Sequence, residues 1–108
     1  MQIYRVRAFN HTGIGQASSF VLPSWCSQTA AIECSGKPGT IKVGNVDVRR
    51  DFSDVRDIVK AYCKIVESDR AGEVFNVGSG VAYSLRELLS TIVGFCSQEI
   101  EVQVDETL

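Results

Sequence analysis

The feature that most restricts the fold is a change of hydrophobic period that occurs twice in the second half of the chain. Thr40 to Val48 reads as an extended stretch, interrupted by a turn or bulge signal at Gly44-Asn45. From Val55 onward the apolar residues Val55, Ile58, Val59, Tyr62, Ile65 and Val66 recur at helical spacing and predict one helix face. Residues 73–78 (EVFNVG) then form a short apolar run of the kind buried in a parallel sheet. Leu85, Leu88, Leu89, Ile92, Val93 and Cys96 follow, again at helical spacing. Each helix carries its own start signal. Asp54 is a good N-cap with Asp57 three residues later, and Ser84 with Glu87 spells a capping box. Strand and helix patterns that succeed one another in this way predict an α/β fold with parallel pairing.

The first half is consistent with that order. Residues 3–9 (IYRVRAF) alternate and are rich in β-branched and aromatic side chains, so they predict a strand. Residues 11–19 (HTGIGQASS) read as a loop. Residues 20–33 read as a helix with Leu22, Trp25, Cys26, Thr29 and Ile32 on one side and Pro23 tolerated in its first turn. At the other end EIEVQVDE alternates as a half-exposed strand. The first strand pattern begins with the chain, and the last stops without a closing turn. The expectation is a single partial domain over residues 1–108 with an incomplete sheet.

At 108 residues the chain has material for one modest core. Its net charge of −2 and scattered basic residues leave no electrostatic footprint for nucleic acid. No apolar run is long enough for a membrane span, and Arg5 and Arg7 sit where a signal peptide needs apolar residues. The four cysteines include no CxxC pair, and with a single histidine they make no zinc set. Cys26, Cys63 and Cys96 fall in apolar helical patterns, which predicts buried reduced thiols and a cytoplasmic protein.

Chemistry concentrates in residues 49–57 (RRDFSDVRD). Arg49 and Arg50 close a strand-like stretch just before a helix start, where a guanidinium can clamp a diphosphate. The rival reading is a pair of solvated strand-edge charges. GIGQAS (13–18) lacks the third glycine of a dinucleotide loop, and VGSGVAYS (77–84) reads as a tight strand-to-helix turn rather than a phosphate cradle. Tyr4, Tyr62 and Tyr83 are followed four residues later by Ala8, Val66 and Glu87, so no tyrosine–lysine proton-transfer pair is present. His11, alone in a loop, reads as a hydrogen-bonding structural residue. No residue of the chain is predicted to be catalytic, and none to bind a metal.

Taken in order, RAFNHTGIGQ (7–16), IKVGNVDVRRDFSDVRDIVKAY (41–62) and GEVFNVGSGVAYSLRELL (72–89) resemble the C-terminal third of extended short-chain dehydrogenases/reductases. The subgroup most resembled contains GDP-mannose 4,6-dehydratase and GDP-4-keto-6-deoxy-D-mannose reductase. The resemblance implies the last parallel strands of a Rossmann-like sheet plus a small substrate-binding subdomain. It implies that Asn10, Phe20, Val21, Val43, Asn45 and Arg50 contact a nucleotide-diphosphate sugar, with Arg50 on the diphosphate and Val43 and Asn45 at the base. Ala8 and Phe9 would lie near the nicotinamide.

The family's glycine-rich loop and catalytic tyrosine and lysine lie upstream of the matched segment. NAD or NADP is therefore expected in an intact enzyme and not on this chain alone. Ile14 departs from the usual proline. The expectation is a nucleotide-sugar-binding portion, inactive by itself, whose partner is a missing N-terminal Rossmann region. The alternative is a non-enzymatic module derived from that family that binds nucleotide-sugars or self-associates through its open sheet edge.

Overall fold

A computed structural model describes residues 1–108. Contacts gather in two compact units: Met1–Ile14 with Arg50–Ala82, and Gly15–Arg49 with Tyr83–Leu108. No helix is long and apolar enough to cross a membrane.

The first unit holds two parallel ladders and one helix. β1 (Arg5–Ala8) runs parallel to β6 (Val74–Val77), with Arg5 opposite Val74 and Ala8 opposite Val77. β2 (Asn10–Thr12) runs parallel to β5 (Phe52–Asp54), with Asn10 opposite Phe52. The parallel pairing follows the expected order, although His11 and Thr12 of the predicted 11–19 loop are strand. Strand alternation sorts the side chains, leaving Val6, Phe75 and Val77 half-buried and Arg5, Arg7 and Asn76 exposed.

α2 (Val55–Glu67) buries Ile58 and Ile65. Val59, Tyr62 and Val66, predicted on the same buried face, are exposed. They occupy the neighbouring stripe of the helix, and no element of the unit covers it.

Asp54 starts α2 as its sequence predicts. Its Oδ1 accepts the Arg56 backbone N–H at 2.8 Å, and its Oδ2 lies 2.6 Å from the Arg56 guanidinium. The Arg56 side-chain hydrogen bonds, followed by the one from its backbone, lower the Asp54 carboxyl to about 2. A depressed carboxyl contributes stability that is complete above its unfolded value near ~3.9 and is lost as pH falls toward the folded one. The thermal midpoint should therefore drop between about pH 4 and pH 2. Asp54→Asn, which keeps a capping oxygen, should shrink that part of the drop, and circular dichroism melts across the range check it.

The second unit packs two helices against a parallel ribbon. β3 (Gly39–Val43) pairs with β8 (Ile100–Val104), Gly39 opposite Ile100 and Val43 opposite Val104. α1 (Val21–Ser35) and α3 (Leu85–Gly94) bring Trp25, Leu85 and Leu89 into a core shared with Ile41, Val43 and Val46. α1 stops at Gly36, whose φ of 67° is a left-handed cap that glycine adopts without strain.

Gln28 ties α1 to β3, donating from Nε2 to the Lys42 carbonyl at 3.0 Å and accepting the Lys42 N–H at 2.8 Å. Glu33 ties the end of α1 to the turn after α3, accepting from Ser97 N–H at 2.8 Å and from the Cys96 thiol at 3.0 Å. α3 begins where the Ser84 N–H donates to Glu87 Oε2 at 3.3 Å. β4 (Arg49–Arg50) and β7 (Tyr83–Ser84) are strands of two residues each.

The cysteines correct the sequence reading. All four are unbridged, but Cys26, Cys34 and Cys63 are exposed and Cys96 is half-buried. Cysteine at a helical period is as compatible with the rim of an apolar stripe as with its centre, and here the centre goes to Trp25, Ile58 and Ile65.

Thr29 is the one polar residue of the core, and its buried hydroxyl has no hydrogen-bond partner. An unsatisfied buried hydroxyl costs about 1–3 kcal/mol, so the near-isosteric Thr29→Val should raise stability by about 1 kcal/mol. Urea denaturation of both chains measures this directly.

Candidate functional site

In the first unit the C-terminal ends of β1 and β6 meet the starts of β2 and β5. The carboxyl ends of parallel strands are where open α/β sheets place their ligand sites. Phe9 is the single residue between β1 and β2. Its N–H donates to the Val77 carbonyl at 2.9 Å, which carries the β1–β6 ladder one residue further. Its carbonyl is 3.0 Å from His11 Nδ1, and since a carbonyl only accepts, Nδ1 carries the proton. His11 is thus engaged with the local backbone, although it lies in β2 and not in a loop.

The loop after β6 is closed by a side chain that sequence reasoning passed over. Asp51 Oδ1 accepts the Ser79 hydroxyl at 2.6 Å and the Ser79 N–H at 3.1 Å. Asp51 Oδ2 accepts the Gly80 N–H at 2.9 Å. These bonds, the one from the Ser79 hydroxyl foremost, hold the Asp51 carboxyl below its ordinary range. Gly80 takes a φ of +79°, the left-handed region that turns its N–H onto the carboxylate.

The Ser79 and Gly80 N–H groups of VGSG are therefore spent on Asp51, which fits a tight turn better than a phosphate cradle. The only signal in the sequence was a hydroxyl flanked by glycines. It gave no hint of which of the chain's acidic residues would answer, because Asp51 lies 28 residues from Ser79.

The residues predicted to bind ligand divide between the two units. In the first, Ala8 is opposite Val77 at the end of its ladder, and Phe9 and Asn10 follow it. Arg50 is exposed and stands two residues before Phe52, the strand partner of Asn10. Asn10 and Arg50 thus belong to the same end of the β2–β5 ladder.

In the second unit Phe20 is the N-cap of α1, and Phe20 and Val21 are 56% and 44% exposed. Asn45 is exposed and accepts the Asp47 N–H on its side-chain oxygen at 2.9 Å, closing a small turn. Val43 departs from expectation. It is 1% exposed, so its side chain is a core contact and presents no face to a base. β3 alternates, and its inward positions are Ile41 and Val43. No group of three or more His, Cys, Asp and Glu side chains is placed to hold a metal ion.

Known proteins resemble the chain in sequence and fold. The sequence profile of the family described as GDP-mannose 4,6 dehydratase matches residues 1–107. The chain is 38% identical over 99 residues to GDP-6-deoxy-D-mannose reductase of Pseudomonas aeruginosa, a match covering 92% of this chain and 33% of that protein. The structure of RMD from Pseudomonas aeruginosa complexed with NADPH superposes with a TM-score of 0.90 at 36% identity, covering 96% of this chain and 35% of that one.

A dTDP-glucose 4,6-dehydratase from Bacillus anthracis in complex with NAD, at 23% identity and a TM-score of 0.72, shares the fold. The chain spans about a third of the length of the curated relatives it matches. Its short parallel ladders and flanking helices have the architecture of the C-terminal part of Rossmann-like short-chain dehydrogenases/reductases. With the profile matched from its first residue to its last but one, the chain belongs to the GDP-mannose 4,6-dehydratase family, among the extended short-chain dehydrogenases/reductases.

Proposed function

We propose that the chain is the nucleotide-sugar-binding portion of an NAD(P)-dependent enzyme that dehydrates, epimerises or reduces a GDP-hexose, and that it has no turnover alone. The observation that carries this reading is the placement of Asn10 and Arg50 at one end of the β2–β5 ladder. An amide and a guanidinium there suit the oxyanions of a diphosphate. Its support from relatives is the likeness to a GDP-6-deoxy-D-mannose reductase.

In the first unit Arg50 would neutralise the diphosphate and Asn10 would donate to the substrate. Ala8 and Phe9, with the Phe9 ring 50% exposed, fit one flank of a nicotinamide, the group that supplies or accepts hydride. Asp51 already takes the Ser79 and Gly80 N–H groups of the glycine turn, so these two are not open to a pyrophosphate. Residues for the rest of such a cofactor are not among these.

Calorimetry with GDP-mannose against UDP-glucose tests the reading on the chain itself. Saturable binding of the GDP-sugar without conversion is the expected result. Conversion by the purified chain would overturn the claim of inactivity, and no binding would overturn the claim of a site.

The second reading, a module that self-associates, has one observation in its favour. Every sheet is two-stranded, and β1 pairs with β6 alone. An unpaired strand edge is a template for another chain. A concentration-dependent dimer in sedimentation, with no GDP-sugar binding, would favour it.

A further inference from the structure

Three features of the first unit converge on one residue. The Phe9 ring lies against the backbone of Gly78: a Cβ at Gly78 would overlap the ring and come within 2.8 Å of Asp51 Oδ2. Only glycine leaves ring, backbone and carboxylate room to touch. Both oxygens of Asp51 are engaged by the loop, Oδ1 by Ser79 N–H and Oγ–H and Oδ2 by Gly80 N–H. The Ser79 hydroxyl oxygen also accepts the Val81 N–H at 3.1 Å, so the loop is tied internally as well as to Asp51. Asp51 directly follows Arg50 in the chain. Anchoring its side chain therefore fixes the main chain from which the Arg50 guanidinium extends.

We propose that Asp51 is a positioning residue for nucleotide-sugar binding, latching the 78–80 loop beneath the Phe9 ring and thereby presetting both that ring and Arg50. The proposal rests on the nucleotide-sugar reading above and adds to it a residue that touches neither substrate nor cofactor. The physical logic is preorganisation. A flexible Arg50 must lose rotamer and backbone freedom on binding, whereas one held from the adjacent residue has lost part of it already. Phe9 gains likewise, since its main chain is held on both sides by Val77 and His11 and its ring is stopped by Gly78.

Asn in place of Asp keeps one acceptor oxygen but sets an NH2 group against one of the donors, so it should open the latch with little change of shape. The experiment compares the chain with Asp51→Asn, Asp51→Glu and Ser79→Ala. It measures GDP-mannose affinity by calorimetry at a temperature where circular dichroism shows every chain folded. In parallel, amide hydrogen exchange at Ser79 and Gly80 and the Phe9–Gly78 nuclear Overhauser contact are followed.

Asp51→Asn should lose protection at the two amides, lose the ring contact and bind GDP-mannose about tenfold more weakly. Asp51→Glu, which keeps the charge, should recover part of the affinity, and Ser79→Ala should fall between. A purely structural tie would lower the melting point and leave the affinity of the folded chain unchanged.

Wild-type affinity in Asp51→Asn, or an unchanged Phe9–Gly78 contact, overturns the positioning role and leaves the nucleotide-sugar reading standing. Absence of GDP-mannose binding by the unaltered chain overturns that reading and the positioning role together. A loop still protected would then show the latch to be a structural tie only.

Discussion

Trp25→Ala should be among the most damaging single changes in this chain, costing about 3–5 kcal/mol of stability. Trp25 is 3% exposed, and its neighbours in the second unit's core are no larger than leucine or isoleucine. Removing the indole leaves a cavity that α1, pinned to β3 by Gln28 and to the turn after α3 by Glu33, cannot close by sliding inward. A domain of this size has about 5–15 kcal/mol in total, so this one change removes a large fraction of it.

Far-UV circular dichroism in a urea titration measures the loss. For the unaltered chain the same transition can be read from fluorescence, because Trp25 is its only tryptophan. A cost below about 1 kcal/mol would mean that the indole is not tightly packed.

Arg50→Ala should weaken GDP-mannose binding by about one to two orders of magnitude, the equivalent of a hydrogen bond to a charged group at about 1.5–3 kcal/mol. The effect should fall on affinity and leave the fold intact, since the Arg50 side chain is exposed. Arg50→Lys should recover only part of it: an ammonium restores the charge but not the planar fork that pairs two phosphate oxygens. The neighbouring Arg49→Ala serves as a control and should matter less. Equal affinity in the Arg50→Ala chain and its parent would remove Arg50 from the site and return it to the role of a solvated strand-edge charge.

Much of the scaffold around these residues was legible in the sequence. Asp54 announced α2 and Ser84 announced α3, because an N-cap is decided by a side chain and the backbone donors one turn away. The alternation in residues 3–9 and the apolar run in 73–78 announced two strands, and these do pair in parallel. Less was legible of the site. Arg50 stood out by residue type and Asn10 through the family resemblance, but their shared place at the β2–β5 ladder depends on a register between segments 42 positions apart in numbering (52 less 10). Asp51 did not stand out at all, as its partners lie 28 and 29 residues away.

Local chemistry therefore determined which segments are helix or strand, where the helices begin, and that a glycine turn follows β6. These outcomes are settled within a few residues, by side-chain period, caps and permissive backbone. Tertiary structure alone decided which apolar stripe of α2 is covered, why Val43 faces a core and not a ligand, and why the cysteines are exposed. It also decided that the donors of the VGSG turn close on Asp51. Burial and hydrogen-bond pairing depend on what distant segments bring alongside, and a one-dimensional pattern states that a face is apolar without stating what will cover it.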